Sequence, residues 1–104
     1  MLCITLQFRG NCRLSPELAA AFLEAYPRLG RHACKGLHGG HFADNIVGTS
    51  YAHLFEHLLI ELAVCAHPGQ VFAGNTKCLD PVRQLYQVRL RCVVPGESGC
   101  EPAV

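Results

Sequence analysis

The chain has 104 residues, of which half are hydrophobic and 16% charged, with a formal net charge of +1. That length holds one core in a single domain, 1–104, and the composition excludes a disordered chain. The near-neutral balance leaves no basic footprint for nucleic acid, and no apolar run is unbroken enough to span a membrane.

"LCITLQF" alternates apolar and polar residues and is rich in β-branched ones, which predicts a first strand with Leu2, Ile4, Leu6 and Phe8 on one face. Gly10-Asn11 ends it. The opening decapeptide is too short and too alternating for a signal peptide, so the expected location is cytoplasmic. "SPELAAAFLEAY" then predicts a helix with Ser15 as N-cap, Pro16 at its first position and Glu17 near the positive end of its dipole. Leu18, Ala21, Phe22 and Ala25 form its expected apolar stripe, and Pro27 and Gly30 close it.

From Arg28 to Gly48 the pattern is irregular, with Gly36, Gly39, Gly40 and Gly48 among three histidines and Cys34. A loop of this length in a small domain is more often functional than idle. "TSYAHLFEHLLIELAVCAH" predicts a second helix, capped by Thr49 or Ser50 and stopped at Pro68-Gly69. "QVFAGNT" and "QLYQVRLRCVV" read as two strands, the latter with Tyr86, Val88, Leu90, Cys92 and Val94 alternating with Gln87, Arg89 and Arg91. Residues 95–104 read as a polar, flexible tail. The expected class is α+β: a small, largely antiparallel sheet with two helices packed on one face, in the order β-α-α-β-β.

Seven cysteines are many for this length, but the number is odd and no C-x-x-C pair occurs. Reduced thiols are therefore expected rather than a disulfide framework. Cys3, Cys65 and Cys92 fall on apolar faces and read as small buried hydrophobes, while Cys12, Cys78 and Cys100 fall in turns or ends.

The second helix carries H-L-F-E-H, from His53 to His57. Two imidazoles one turn apart point the same way and can share one metal ion, most commonly zinc. Glu56 is placed to take a proton from a water at that site, the general-base role in metal-assisted hydrolysis. H-x-x-E-H is the inverzincin order. Unpartnered burial of three such groups would cost about 2 kcal/mol or more apiece; a metal offsets that cost, and a hydrogen-bonded surface stripe avoids it. Leu54, Leu58, Ile60 and Leu62 are left for packing. Glu61, roughly 12 Å along the axis from His53, is too far to close a tight site with both histidines and reads as a supporting or salt-bridging group. The third ligand then comes from His32, Cys34, His38, His41 or Asp44, and residue type alone does not choose among them.

Several separate elements between Arg31 and Thr76 combine with this helix: His32-Ala33-Cys34, Gly39-Gly40-His41-Phe42, Gly48-Thr49, His53 through Leu62, and Phe72 through Thr76. In these, close to half of the chain resembles the amino-terminal domain of cyanophycin synthetases and their small stand-alone relatives. That family shows H-x-C-S, Gly-Gly-Phe, Gly-Thr, H-x-x-E-H-x-x-x-E-L and an F-G-R-T-like strand. The resemblance implies a zinc-dependent hydrolase that cuts the polymer into shorter primers, with Cys34, His53 and His57 holding Zn2+ and Glu56 as base; His32 and Glu61 are weaker candidates for groups that support the ligands. Nothing resembles the ligase parts of those synthetases.

The chain departs from the family pattern where its arginine would stand. "FAGNTK" places Asn75 or Lys77 near that point, as weaker candidates for binding substrate or an oxyanion. His41 precedes the phenylalanine, and the loop between Cys34 and His53 differs slightly in length. Two functions follow as expectations. One is a metallopeptidase-like hydrolase acting on a peptide or amide substrate, cyanophycin-like or otherwise. The other is a non-catalytic binding or scaffolding module with a structural or vestigial metal site. A metal-free domain with surface-exposed histidines is the plainest alternative, and self-association into a homo-oligomer is left open.

Overall fold

The computed structural model describes residues 2–9, 13–36 and 38–93. In chain order these form strand β1 (Leu2–Gln7), helix α1 (Pro16–Ala25), a 3-10 turn (Pro27–Arg31) and strands β2 (Ala33–Gly36) and β3 (Gly39–His41). A single-turn helix α2 (Phe42–Asn45), helix α3 (Tyr51–Ala66) and strands β4 (Val71–Asp80) and β5 (Leu85–Val93) complete it. The expected α+β class with antiparallel sheet is what forms. The strand end at Gly10-Asn11, Cys12, Val94, Cys100 and the tail 95–104 lie outside the described residues.

The main sheet has the order β1-β5-β4, antiparallel throughout. Alternation puts β5 in the centre: Tyr86, Val88 and Leu90 are all buried, as a central strand with one covered face requires. Cys92 breaks that expectation and is exposed, as are Cys3 and Cys65. All three lie at edges or ends, where the apolar face they were assigned to is not covered. β4 runs beyond "QVFAGNT" to Asp80, whose Oδ1 accepts from the amides of Val82 and Arg83 and closes the hairpin. Cys78 is therefore paired with Tyr86 inside a strand, not in a turn.

Ser15 caps α1 as its sequence predicts, accepting from Leu18 N at 3.1 Å. The inward face is rotated from the expected stripe. Ala19 is buried with Phe22 and Leu23 packed on the core, whereas Leu18, Ala21 and Ala25 are exposed. The helix packs on the 3-10 turn, and Ala19 joins Leu29, Phe42 and Leu54 in one buried cluster.

The segment from Arg28 to Gly48 is not an irregular loop. It holds the 3-10 turn, the β2–β3 hairpin and α2. Leu29, Phe42 and Ile46 bury almost completely and join Leu14 and Leu54 in one cluster. Asn45 supplies the bonds that the short hairpin lacks, donating from Nδ2 to the carbonyls of Gly39 and His41 and accepting from His38 N. Side-chain bonding of this kind leaves no alternation in the sequence to read.

Helix α3 lies against β4 and β5 and also meets the 3-10 turn, so it stands between the sheet and the folded segment. Ser50 is its N-cap, accepting from His53 N, and Gly69 at φ +89° follows its end. Leu54 is buried, whereas Leu62 is 66% exposed beyond the packed part of the helix. No helix of the described residues is long and apolar enough to cross a membrane.

Candidate metal centre

His53 and His57 project from α3 toward β2, and the hairpin brings Cys34 to meet them. The ligand atoms of these three side chains lie within 4.8 Å of one another. Cys34 Sγ is 3.6 Å from His53 Nε2, and His57 Nε2 is 3.2 Å from His53 Nε2. A tetrahedral zinc, with bonds of about 2.3 Å to sulfur and about 2.0 Å to nitrogen, separates its ligand atoms by roughly 3.3–3.6 Å. The donor set suits such an ion, and the two distances to His53 Nε2 match its spacing.

The remaining bonds of both rings agree with that fit. His53 Nδ1 is 2.7 Å from Thr49 Oγ1 and His57 Nδ1 is 3.0 Å from His32 Nδ1. With the proton on Nδ1 in each ring, both Nε2 atoms present lone pairs to the same point. His32 then passes its Nε2–H to Glu61 Oε1 at 3.0 Å, and Arg28 pairs with the other oxygen of Glu61. Phe42 stacks on His57 with ring centroids 4.0 Å apart. Thus His32 and Glu61 sit behind the ligands, joined to His57 in a chain that ends on a surface arginine.

Electrostatics prepare the imidazoles to be neutral. Burial, with the neighbouring His53 and His32 rings, pushes the pKa of His57 down to about 3. Burial lowers that of His53 as well. The Cys34 thiol is pushed up, first by burial and then by the Glu56 charge, against a hydrogen bond from Asn45. A metal must therefore displace its proton. His57 is 2% exposed, so the alternative of surface-exposed histidines fails for this residue.

Glu56 is buried beside the ligands, with Oε2 4.0 Å from His57 Nε2. Thr76 on β4 donates to its Oε1 at 2.6 Å. Burial raises the Glu56 pKa and the Thr76 bond opposes the rise. Gly74, the preceding same-face position of β4, leaves room for the carboxylate: a Cβ there would stand 2.8 Å from Glu56 Oε2.

A cleft of 660 Å³ opens on Cys34, His53, Glu56 and His57, within the usual range for a small-molecule or peptide site. Asn75 and Arg13 line it, whereas Lys77 is not among the lining residues. His38 and His41 are exposed on the hairpin, and Asp44 bonds the backbone of His41. Among the described residues they are not part of the ligand cluster. Thr76, Gly74, Thr49, Phe42 and Arg13 were missed as contributors. For Gly74 and Thr76 a signal exists: strand alternation puts both on one face of the "VFAGNT" segment. For Arg13, Thr49 and Phe42 the relevant partners are set by tertiary placement.

Residues 7–100 match the family model of the cyanophycin synthase-like N-terminal domain. No curated protein and no solved structure matches the chain.

Proposed function

The chain belongs to the cyanophycin synthase-like N-terminal domain family, and we propose that it is a zinc-dependent hydrolase of an amide or peptide bond. The observation that carries this reading is Glu56: a buried carboxylate, held by Thr76, 4.0 Å from a nitrogen of the ligand triad and lining the same cleft. A carboxylate buried only for packing would not need that address, and burial raises its pKa in the direction that helps it take and return a proton.

When bound by Cys34, His53 and His57, zinc supplies a Lewis acid at the end of the cleft. The chain's own residues do the rest. Glu56 takes a proton from the water that adds to the carbonyl carbon, then returns it to the amine nitrogen as the C–N bond breaks. Thr76 fixes one carboxylate oxygen so that the other faces the cleft. His32 and Glu61 keep His57 in the tautomer a ligand needs, and Thr49 does the same for His53. Asn75 borders the cleft, but alternation along β4 sets its side chain on the face opposite Gly74 and Thr76, so it takes no part in this reading.

A purely structural zinc would use four protein ligands. Among the described residues the cluster supplies three, which favours a site with an open position. The test is Glu56→Gln on zinc-loaded protein, assayed against short peptides and amides, cyanophycin-like ones included. Zinc content should stay at about one per chain while turnover falls by about 10²–10⁴. Turnover unchanged by the substitution would refute the role of Glu56, and wild-type protein with no turnover would favour the binding-module reading.

A further inference from the structure

Arg13 is held at the mouth of the cleft more firmly than an idle surface arginine requires. Its backbone forms an isolated antiparallel bridge with Ser50, the N-cap of α3. Beside it, Leu14 N donates to Thr49 O at 2.9 Å and Gly48 N donates to Leu14 O at 2.8 Å. Leu14 is itself a buried member of the core. The chain at Arg13 is thereby fixed to the same turn that carries Thr49 and starts the helix of His53, Glu56 and His57.

The guanidinium follows the backbone. Nη1 donates to Gly48 O at 3.2 Å, which sets the side chain along the rim of the cleft shared with Cys34, His53, Glu56 and His57. Among the described residues lining that cleft, Arg13 is the one arginine or lysine. Among the described residues no carboxylate pairs with its charge: Glu56 is bonded to Thr76, and Glu61 to Arg28 and His32. A guanidinium carries five donors in a planar fork, and one of them is engaged here, on a neutral carbonyl. What such a fork matches is a planar anion with two acceptor oxygens.

We propose that Arg13 is the specificity-determining residue of the cleft, anchoring a carboxylate of the substrate, so that the site takes carboxylate-bearing peptides or amides over neutral ones. This rests on the hydrolase reading above and adds the substrate class to it. Replacing the carboxylate by a primary amide keeps shape but removes the charge and one acceptor, so discrimination is expected from this contact.

The experiment uses zinc-loaded protein and three kinds of probe: acetohydroxamate, the monohydroxamates of succinic and glutaric acid, and the primary amides of those two acids' hydroxamates. Calorimetry on the wild type should show at least one acid binding tighter than its amide by about tenfold. Arg13→Gln should abolish the preference while leaving zinc content and acetohydroxamate affinity unchanged. Equal binding of acids and amides in the wild type, or a preference that survives in Arg13→Gln, overturns the proposal. Failure of the metal site reads differently, as loss of acetohydroxamate binding in the wild type. In that case, amide shifts of metal-free protein titrated with succinate and succinamide decide. Changes at Arg13 and Thr49 with succinate alone, absent in Arg13→Gln, support the anchor, and their absence in the wild type overturns it.

Discussion

Thr76 donates its hydroxyl proton to Glu56 Oε1 at 2.6 Å, tying strand β4 to the helix that carries His53 and His57. It is the hydrogen bond that holds a carboxylate which is itself almost fully out of water. Thr76→Val keeps the side-chain shape and removes the donor. The variant should lose about 1–3 kcal/mol in denaturant unfolding. Thr76→Ser should recover most of it. Equal stability of Val and wild type would show that the carboxylate finds another partner.

Gly74 tests the same carboxylate by volume. A Cβ at this position meets Glu56 Cγ and Oε2 at 2.8 Å, closer than real Cβ atoms approach, and the obstacle is a buried side chain with little room to turn. Gly74→Ala should therefore push Glu56 off Thr76, costing about 1–3 kcal/mol, while His53, His57 and Cys34 still bind zinc. Activity should fall more than zinc affinity. A variant with lost zinc and intact stability would place Gly74 in a different role.

The imidazoles predict the pH dependence of the metal-free protein. His57 is held to about 3 in the fold, against about 6.5 in an unfolded chain. Its folded pKa is the lower one, so the unfolded state binds more protons between the two values. Stability is then present above about pH 6.5 and lost as pH falls through this window, at up to about 1.4 kcal/mol per pH unit. Melting temperatures of metal-free protein from pH 7 to pH 4 should fall accordingly, and His57→Phe should flatten the slope. A flat wild-type profile would mean that His57 is not desolvated as the structure places it.

Much of this was legible beforehand, and the division has a physical basis. β1, α1, α3 and β5 are encoded locally, through alternation, caps and helical spacing, and all four form. His53, Glu56 and His57 are fixed relative to one another by a single helix, so five residues of sequence suffice to bring them together. Cys34 is different: its approach depends on a hairpin stitched by Asn45 and on Phe42 buried behind His57. Neither has a periodic signature, so residue type alone left Cys34 among five candidates until the family resemblance chose it. The exposed Cys3, Cys65 and Cys92 were misread because alternation tells which residues share a face, not whether anything covers that face.

The chain from His57 through His32 to Glu61 predicts an effect at a distance. Burial pushes the Glu61 carboxyl up, but the bond to His32 and the bond and charge of Arg28 outweigh it and hold it below its ordinary value. Glu61 is thus an anion that orients His32, which in turn orients His57. Glu61→Gln and His32→Ala should each weaken zinc binding by about 10–100-fold, measured by competition with a chromophoric chelator. Arg28→Ala should do much less, since its side chain is 59% exposed and its ion pair is screened. Equal losses in all three would point to a general loosening of the fold instead.

Of the three candidate ligands, the thiol is the one whose protonation opposes a metal. Burial raises the Cys34 pKa above its ordinary value of 9.0, and the Glu56 charge adds to it, so at neutral pH the metal-free protein carries a proton on sulfur. The two histidines are already neutral, with pKa values pushed down, so they release none. Zinc binding at pH 7 should therefore free about one proton per chain, all of it from Cys34. Calorimetry in buffers of different ionisation enthalpy reads that number directly. Cys34→Ser should bind zinc far more weakly and release less than the wild type, whereas Cys78→Ser, a change at the cleft wall outside the ligand cluster, should leave both quantities where they were. Undiminished proton release from Cys34→Ser would show that the thiol is not a ligand, and the site would then reduce to the two histidines of one helix.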